Sequence, residues 1–130
     1  MVRHFTLLIL LFDMLGGKID WRRRVQETVY ILKCKHNLPF PYEFQEYWYG
    51  HYSEQLQDAL DVLVSAKVLE EKIEENPDGS LKHVYSLTNT GKSLTKKIRE
   101  EIDDRTILEK LEHAKENLAD FLESPKCLLL

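Results

Sequence analysis

Cysteine is scarce in this chain, with only Cys34 and Cys127, and the two lie too far apart in sequence to suggest a disulfide framework. A reducing, cytoplasmic setting is therefore expected. An excess of positive charge is also missing: 18 lysines and arginines face 22 acidic residues, for a formal net charge of -4. That balance excludes a general nucleic-acid coat protein, although a local basic patch remains open. No apolar run is long enough to span a bilayer, which takes roughly 20 residues. The run Phe5 to Phe12, FTLLILLF, imitates a secretory signal because Arg3 and His4 precede it and Gly16-Gly17 follow. Asp13 comes directly after it, however, and no A-x-A-like cleavage site appears, so a buried first helix ending at the glycine pair is the better reading. At the other end Cys127-Leu128-Leu129-Leu130 fits the C-a-a-X prenylation pattern. The preceding ENLADFLESPK is acidic rather than polybasic, so a second membrane signal is absent and no membrane association is expected.

What remains is an ordinary globular mixture, 43% hydrophobic and 31% charged, enough for one respectable core across 130 residues. After the glycine pair, Asp20 is a candidate cap for a second helix whose apolar positions Trp21, Val25, Val29 and Leu32 fall on one face. That helix should end near His36-Asn37. Pro39 and Pro41 then break regularity, and Tyr42 to Tyr49 reads as a short extended segment. From Ser53, a natural N-cap, the spacing of Leu56, Ala59, Leu60, Leu63 and Val64 is helical. Val68 to Glu75 and Leu81 to Leu87 are joined by Asn76-Pro77-Asp78-Gly79-Ser80. Proline suits the second position of a type I turn and glycine the following left-handed position, so a hairpin is predicted.

A last helical region starts at Thr88. Its apolar residues Leu94, Ile98, Ile102, Leu108, Leu111, Leu118 and Leu122 form a narrow stripe, as in a helix that packs on a partner. Asp103-Asp104 is a candidate interruption. Unbroken from Thr90 to Leu122, the helix would reach about 50 Å at about 1.5 Å per residue, which suggests a dimerisation arm. The expected organisation is a first domain over residues 1–90, a helical extension over 91–124 carrying a homodimer interface, and a tail over 125–130.

Residues in catalytic or ligating patterns are sparse. Cys34 and His36 supply two metal ligands where converging sets need more, and His4, His51, His83 and His113 are scattered, so no metal is expected. Gly91-Lys92-Ser93 lacks the upstream glycine of a phosphate loop. Glu70, Glu71, Glu74 and Glu75 would interleave with Lys72 along a solvated strand, and Ser53 near His51 has no third orienting group. No enzyme and no cofactor are expected.

The basic residues do cluster. Arg22, Arg23 and Arg24 fill the first turn of the second helix, against the preference of the helix dipole for acids there, and Lys33, Lys35 and His36 close it. Phosphate binding and a solvated charged face are both open readings. Lys82 and His83 lie on the hairpin, and Lys92, Lys96, Lys97 and Arg99 follow it.

Helices followed by a hairpin whose second strand runs into L-T-x-T-G-K, Leu87 to Lys92, follow the order of a winged helix. Tyr49-Gly50-His51-Tyr52-Ser53-Glu54, with Leu56, Leu60 and Leu63 after it, resembles the Y-G-P-Y-S-x-x-L signature of the YwgA-like winged-helix proteins and the related Panacea domain of SocA-like antitoxins. The resemblance covers roughly residues 5 to 92, and His51 stands where the signature has proline. It implies a mainly α, α+β chain: a winged helix-turn-helix with a long C-terminal helix. It also implies transcriptional regulation, antitoxin action or protease-adaptor action.

Two functions follow as expectations. One is a regulator binding double-stranded DNA, with Gln55 and Gln57 as base readers on the third helix and Arg22, Arg23, Arg24, Lys82 and His83 on phosphates. The other is a protein-interaction module of antitoxin or adaptor type that binds no DNA. The third helix carries Glu54, Asp58 and Asp61 and no basic side chain, which suits DNA poorly. Tyr49, Gly50, Tyr52 and Ser53 are expected to form the turn and cap that set this helix.

Overall fold

The longest apolar run folds as the central helix. In the computed structural model, which describes residues 3–48, 50–101 and 105–123 and side chains of 5–48, 50–101 and 105–115, α1 spans Arg3–Met14. Leu7 through Phe12 are all buried, so this helix is apolar on every side because the rest of the chain surrounds it. It ends at the glycine pair as the sequence indicates. Gly16 and Gly17 adopt φ of 87° and 86°, and the Gly17 amide donates to the Phe12 carbonyl at 2.7 Å.

The remaining elements are β1 (Lys18–Asp20), α2 (Arg22–Lys35), β2 (Gln45–Tyr47), β3 (Gly50–Tyr52), α3 (Glu54–Ser65), β4 (Leu69–Glu75), β5 (Leu81–Leu87), α4 (Asn89–Glu101) and α5 (Arg105–Glu123). The chain is thus mixed α and β. One antiparallel sheet has the order β1-β5-β4, and β2 with β3 makes a separate two-stranded ribbon. The hairpin matches expectation, with Gly79 at φ 87° in its turn and Leu69 opposite Leu87 at its base. Ser53 caps α3, its hydroxyl accepting from the Leu56 amide at 3.1 Å.

The start of α2 differs from expectation. Asp20 is not its cap; it closes β1, opposite Val84 of β5, and its carboxylate faces Lys18 and Lys82 at 3.8 and 3.6 Å. Trp21 occupies the cap position with φ 72° and ψ 129° and supplies no side-chain hydrogen bond. Its amide donates to the His83 carbonyl at 2.7 Å, so the sheet dictates this turn and holds a conformation that costs an ordinary residue about 1–3 kcal/mol. Trp21 is accordingly half-buried rather than part of the core stripe.

The C-terminal stripe also turns out differently. Ile98 and Leu111 are buried in the chain's own core, and Leu94 and Leu108 pack against it. α4 packs on α1, while α5 contacts both α1 and α2, so the region forms two helices that return to the body instead of one long arm. Arg99 adds a two-pronged ion pair to Asp13 at 3.0 and 2.8 Å. Ile102 and Asp103-Asp104, the side chains of Leu118 and Leu122, and the tail at 125–130 lie outside the described residues, as does Tyr49. Among the described residues no helix is long and apolar enough to cross a membrane.

Candidate functional site

Two polar networks flank α3, and both draw on α2. In the first, Gln26 and Glu27 sit side by side in the buried part of α2 and reach the backbone that leads into α3. The Gln26 amide donates to the Ser53 carbonyl at 3.1 Å and accepts from the Ser53 amide at 2.8 Å. The Glu27 carboxylate, 3% exposed, accepts from the His51 amide at 2.7 Å. His51 stacks flat on Tyr30 at 3.7 Å between ring centroids, and Tyr30 meets the edge of Phe44 at 5.4 Å. The segment expected to be a turn is therefore a strand, β3, clamped along one edge by side chains from α2. Gly50, at φ 131°, pairs with Tyr47 in the ribbon, and Tyr52 touches Tyr47 edge-on at 6.3 Å.

The second network centres on the hydroxyl of Tyr85, whose side chain is fully buried. Arg22 Nε and Gln57 Nε2 both donate to it at 3.2 Å. Glu71 Oε2 accepts from Arg22 Nη2 at 3.0 Å and faces His83 Nδ1 at 3.1 Å. Burial pushes the Tyr85 phenol above its ordinary value, against the hydrogen bonds from Gln57 and Arg22. Burial by itself would raise the Glu71 carboxyl as well, but hydrogen bonds with Arg22, Tyr85 and His83 outweigh it and hold it below the usual glutamate range. The stabilisation from this carboxylate is complete above its unfolded-state value, near pH 4.3, and is lost as pH falls through the lowered folded-state value. Glu71→Gln is therefore expected to lower the unfolding midpoint near neutral pH by more than it does at about pH 3. Denaturant titrations of both proteins across that range check this, and a gap independent of pH would refute it.

Contacts within the chain engage five of the seven basic and amide residues expected at DNA, three of them in the second network. Arg22, Gln57 and His83 converge on Tyr85 and Glu71. Lys82 lies between Asp20 at 3.6 Å and Glu74 at 3.4 Å, with its ammonium 6.0 Å from the centre of the Trp21 ring. Gln55 accepts from the Glu43 amide at 2.8 Å, tying the strap before β2 to the first turn of α3. Arg23 is exposed, and Arg24 lines a shallow cleft with Leu15, Lys18, Ile19 and Asp20. Gln26, Glu27 and Tyr85 are not among the residues that the sequence marks, and Glu71, expected on a solvated strand edge, instead anchors the second network. Adjacent polar residues at 26 and 27, next to the apolar positions 25 and 29, were the available signal for the first pair.

The outer side of α3 is the third feature. Glu54, Gln55, Asp58, Asp61 and Val62 are exposed on it, and Trp48 stands 94% exposed at the tip of the β2–β3 ribbon. Among the described residues no group of three or more histidines, cysteines or acids is placed to hold a metal ion.

The aromatic-glycine ribbon, the Ser53 cap and the leucines of α3 are thus one built unit, and comparison with known proteins gives a relative for this chain. The chain is similar to YwgA. The uncharacterised protein YwgA of Bacillus subtilis (strain 168) is 36% identical to it over 76 residues, which is 58% of this chain and 45% of YwgA. The match thus spans less than half the length of YwgA. No protein-family model matches the chain. The likeness to YwgA supports a YwgA-like relationship over that stretch and carries no activity with it.

Proposed function

We propose that this chain is a non-enzymatic winged-helix protein-interaction module, of antitoxin or adaptor type, that does not read DNA through α3. The winged-helix reading rests on element order: α1, β1, α2 and α3 precede a hairpin, and β1 joins that hairpin on β5 to make the sheet β1-β5-β4. In such a fold α3 takes the position of the recognition helix.

One observation favours a protein partner. The outer side of α3 carries Glu54, Asp58 and Asp61 without a lysine or arginine, while Arg22, Lys82 and His83 face carboxylates of this same chain. Duplex DNA presents one negative charge per ≈1.7 Å of axis, and binding depends on basic side chains displacing its counterions. An acidic helix face repels that surface, and basic residues already paired give up their partners before they can meet a phosphate. The resemblance to the Panacea domain of SocA-like antitoxins supports the same class.

A duplex-binding titration with random and genomic DNA tests the reading. The expected result is no measurable affinity at low salt. Affinity that falls steeply with salt and disappears in an Arg22→Ala/Arg23→Ala/Arg24→Ala variant would establish the regulator reading instead.

A further inference from the structure

Residues 37–66 hold Glu43, Glu46, Glu54, Asp58 and Asp61 and no lysine or arginine, so this stretch alone is more negative than the net -4 of the whole chain. All five carboxylates are exposed. The ion pairs of the described residues lie elsewhere, on Asp13, Asp20, Glu27, Glu70, Glu71 and Glu74. Lys33 reaches this stretch and donates to the Tyr42 carbonyl rather than to a carboxylate.

Geometry brings these charges together with exposed apolar surface. Glu54, Asp58 and Asp61 follow one another at four and three residues, which places them in a single row along α3. Val62, 49% exposed, lies beside Asp58 one turn on. The Glu43 to Gln55 hydrogen bond holds the strap against the start of that row. From the strap the chain enters the ribbon, where Tyr47 is 37% and Trp48 94% exposed. Because Glu27 accepts from the outward amide of His51, that residue and its opposite Glu46 form a non-hydrogen-bonded pair, and the backbone amide and carbonyl of Glu46 face outward from the ribbon. Clamping by Gln26 and Glu27 presents this surface on a pre-ordered support, which lowers the entropy cost of binding.

We propose that the outer face of α3 and the tip of the β2–β3 ribbon dock a lysine- and arginine-rich segment of a partner protein. Its cations lie along the carboxylate row and one of them stacks on Trp48. This rests on the interaction-module reading and names the chemistry of the partner. Carboxylates that meet no cation of the described residues, Asp61 accepting only from the neutral Gln57 amide at 3.2 Å, complement ammonium and guanidinium groups, and the face of an indole ring is the best aromatic site for such a cation. The same charges repel nucleic acid and anionic lipid. Among the described residues no side chain of the chain itself neutralises the row.

The test uses the full chain and three labelled peptides, of alternating arginine and leucine, arginine and serine, and glutamate and leucine, read by fluorescence anisotropy. Both arginine peptides are expected to bind and the glutamate peptide is not. Trp48→Ser, at an exposed position, is expected to weaken binding at least about tenfold. The Glu54→Gln/Asp58→Asn/Asp61→Asn variant is expected to do the same and to flatten the salt dependence. A control variant, Glu70→Gln/Glu75→Gln on β4, is expected to stay within about twofold of the parent. Binding that survives Trp48→Ser, that falls equally in the control, or that is absent for both arginine peptides overturns the proposal. Absence of peptide binding together with absence of DNA binding removes this docking chemistry and leaves the module reading in place, whereas DNA binding overturns that reading itself.

Discussion

Gln26→Ala is expected to lower the unfolding free energy by about 2–4 kcal/mol. The reason lies in an asymmetry between the two hydrogen bonds that the side chain makes. Its oxygen accepts from the Ser53 amide, which has no other acceptor among the described residues, so truncation leaves a buried donor unpaired at a cost of about 1–3 kcal/mol. Its nitrogen donates to the Ser53 carbonyl, which also accepts from the Gln57 amide at 3.2 Å and so stays satisfied. The void left by the amide adds to the first loss. Urea titration measures the effect. A change under about 0.5 kcal/mol, the usual scale of a surface substitution, would mean that Gln26 does not anchor α3. The same variant is expected to loosen the ribbon and weaken the arginine-peptide binding proposed above, through loss of order rather than loss of contact.

Gly91→Ala is expected to destabilise the chain by about 2–3 kcal/mol, although alanine is intrinsically the better helix former by about 1 kcal/mol. A Cβ at position 91 would lie 2.3 Å from the Val68 carbonyl oxygen and 3.0 Å from Leu87 Cδ2. A backbone atom is the obstacle here, and it cannot swing aside as the end of a side chain can. That carbonyl also accepts from the Thr88 amide at 3.1 Å and from the Thr88 hydroxyl at 3.1 Å, and the Thr88 hydroxyl in turn accepts from the Gly91 amide at 3.0 Å. Displacing it therefore strains the junction where β5 hands over to α4. Thermal and denaturant unfolding check the prediction, and a variant as stable as the parent would show that α4 can back away from Val68 without loss. Gly91 stands in the Gly91-Lys92-Ser93 motif that superficially suggests a phosphate loop, and its role in the fold is close packing.

Some elements were legible because their signals are local. The Ser53 cap lies three residues from the amide it accepts, and the Asn76-Pro77-Asp78-Gly79-Ser80 turn carries its own backbone geometry. The glycine pair ends α1 with hydrogen bonds back to Phe12 and Asp13. β1 is not legible because a three-residue strand has no periodicity to detect and exists only through its pairing with β5, more than sixty positions later. Asp20 has the right chemistry for a cap, but strand pairing claimed its backbone. The stripe from Leu94 to Leu111 is legible as apolar, yet periodicity carries no information on whether the covering surface belongs to a second copy or to the chain itself.

The candidate site divides along the same line. Sequence alone determined the acidity of α3, the aromatic cluster before it and the helix start at Ser53, because composition and short-range spacing carry those features whatever the rest of the chain does. Tertiary structure decided the pairing of the charges. Arg22 and Glu71 are 49 positions apart and meet at 3.0 Å only because α2 and the hairpin share an edge of the molecule. With Lys82 and His83 also facing acids, three of the five basic residues expected on phosphates are engaged within the chain, while the carboxylates of α3 meet no cation among the described residues. Whether a charged group is open to a partner depends on its neighbours in space, and these residues acquire such neighbours only on folding.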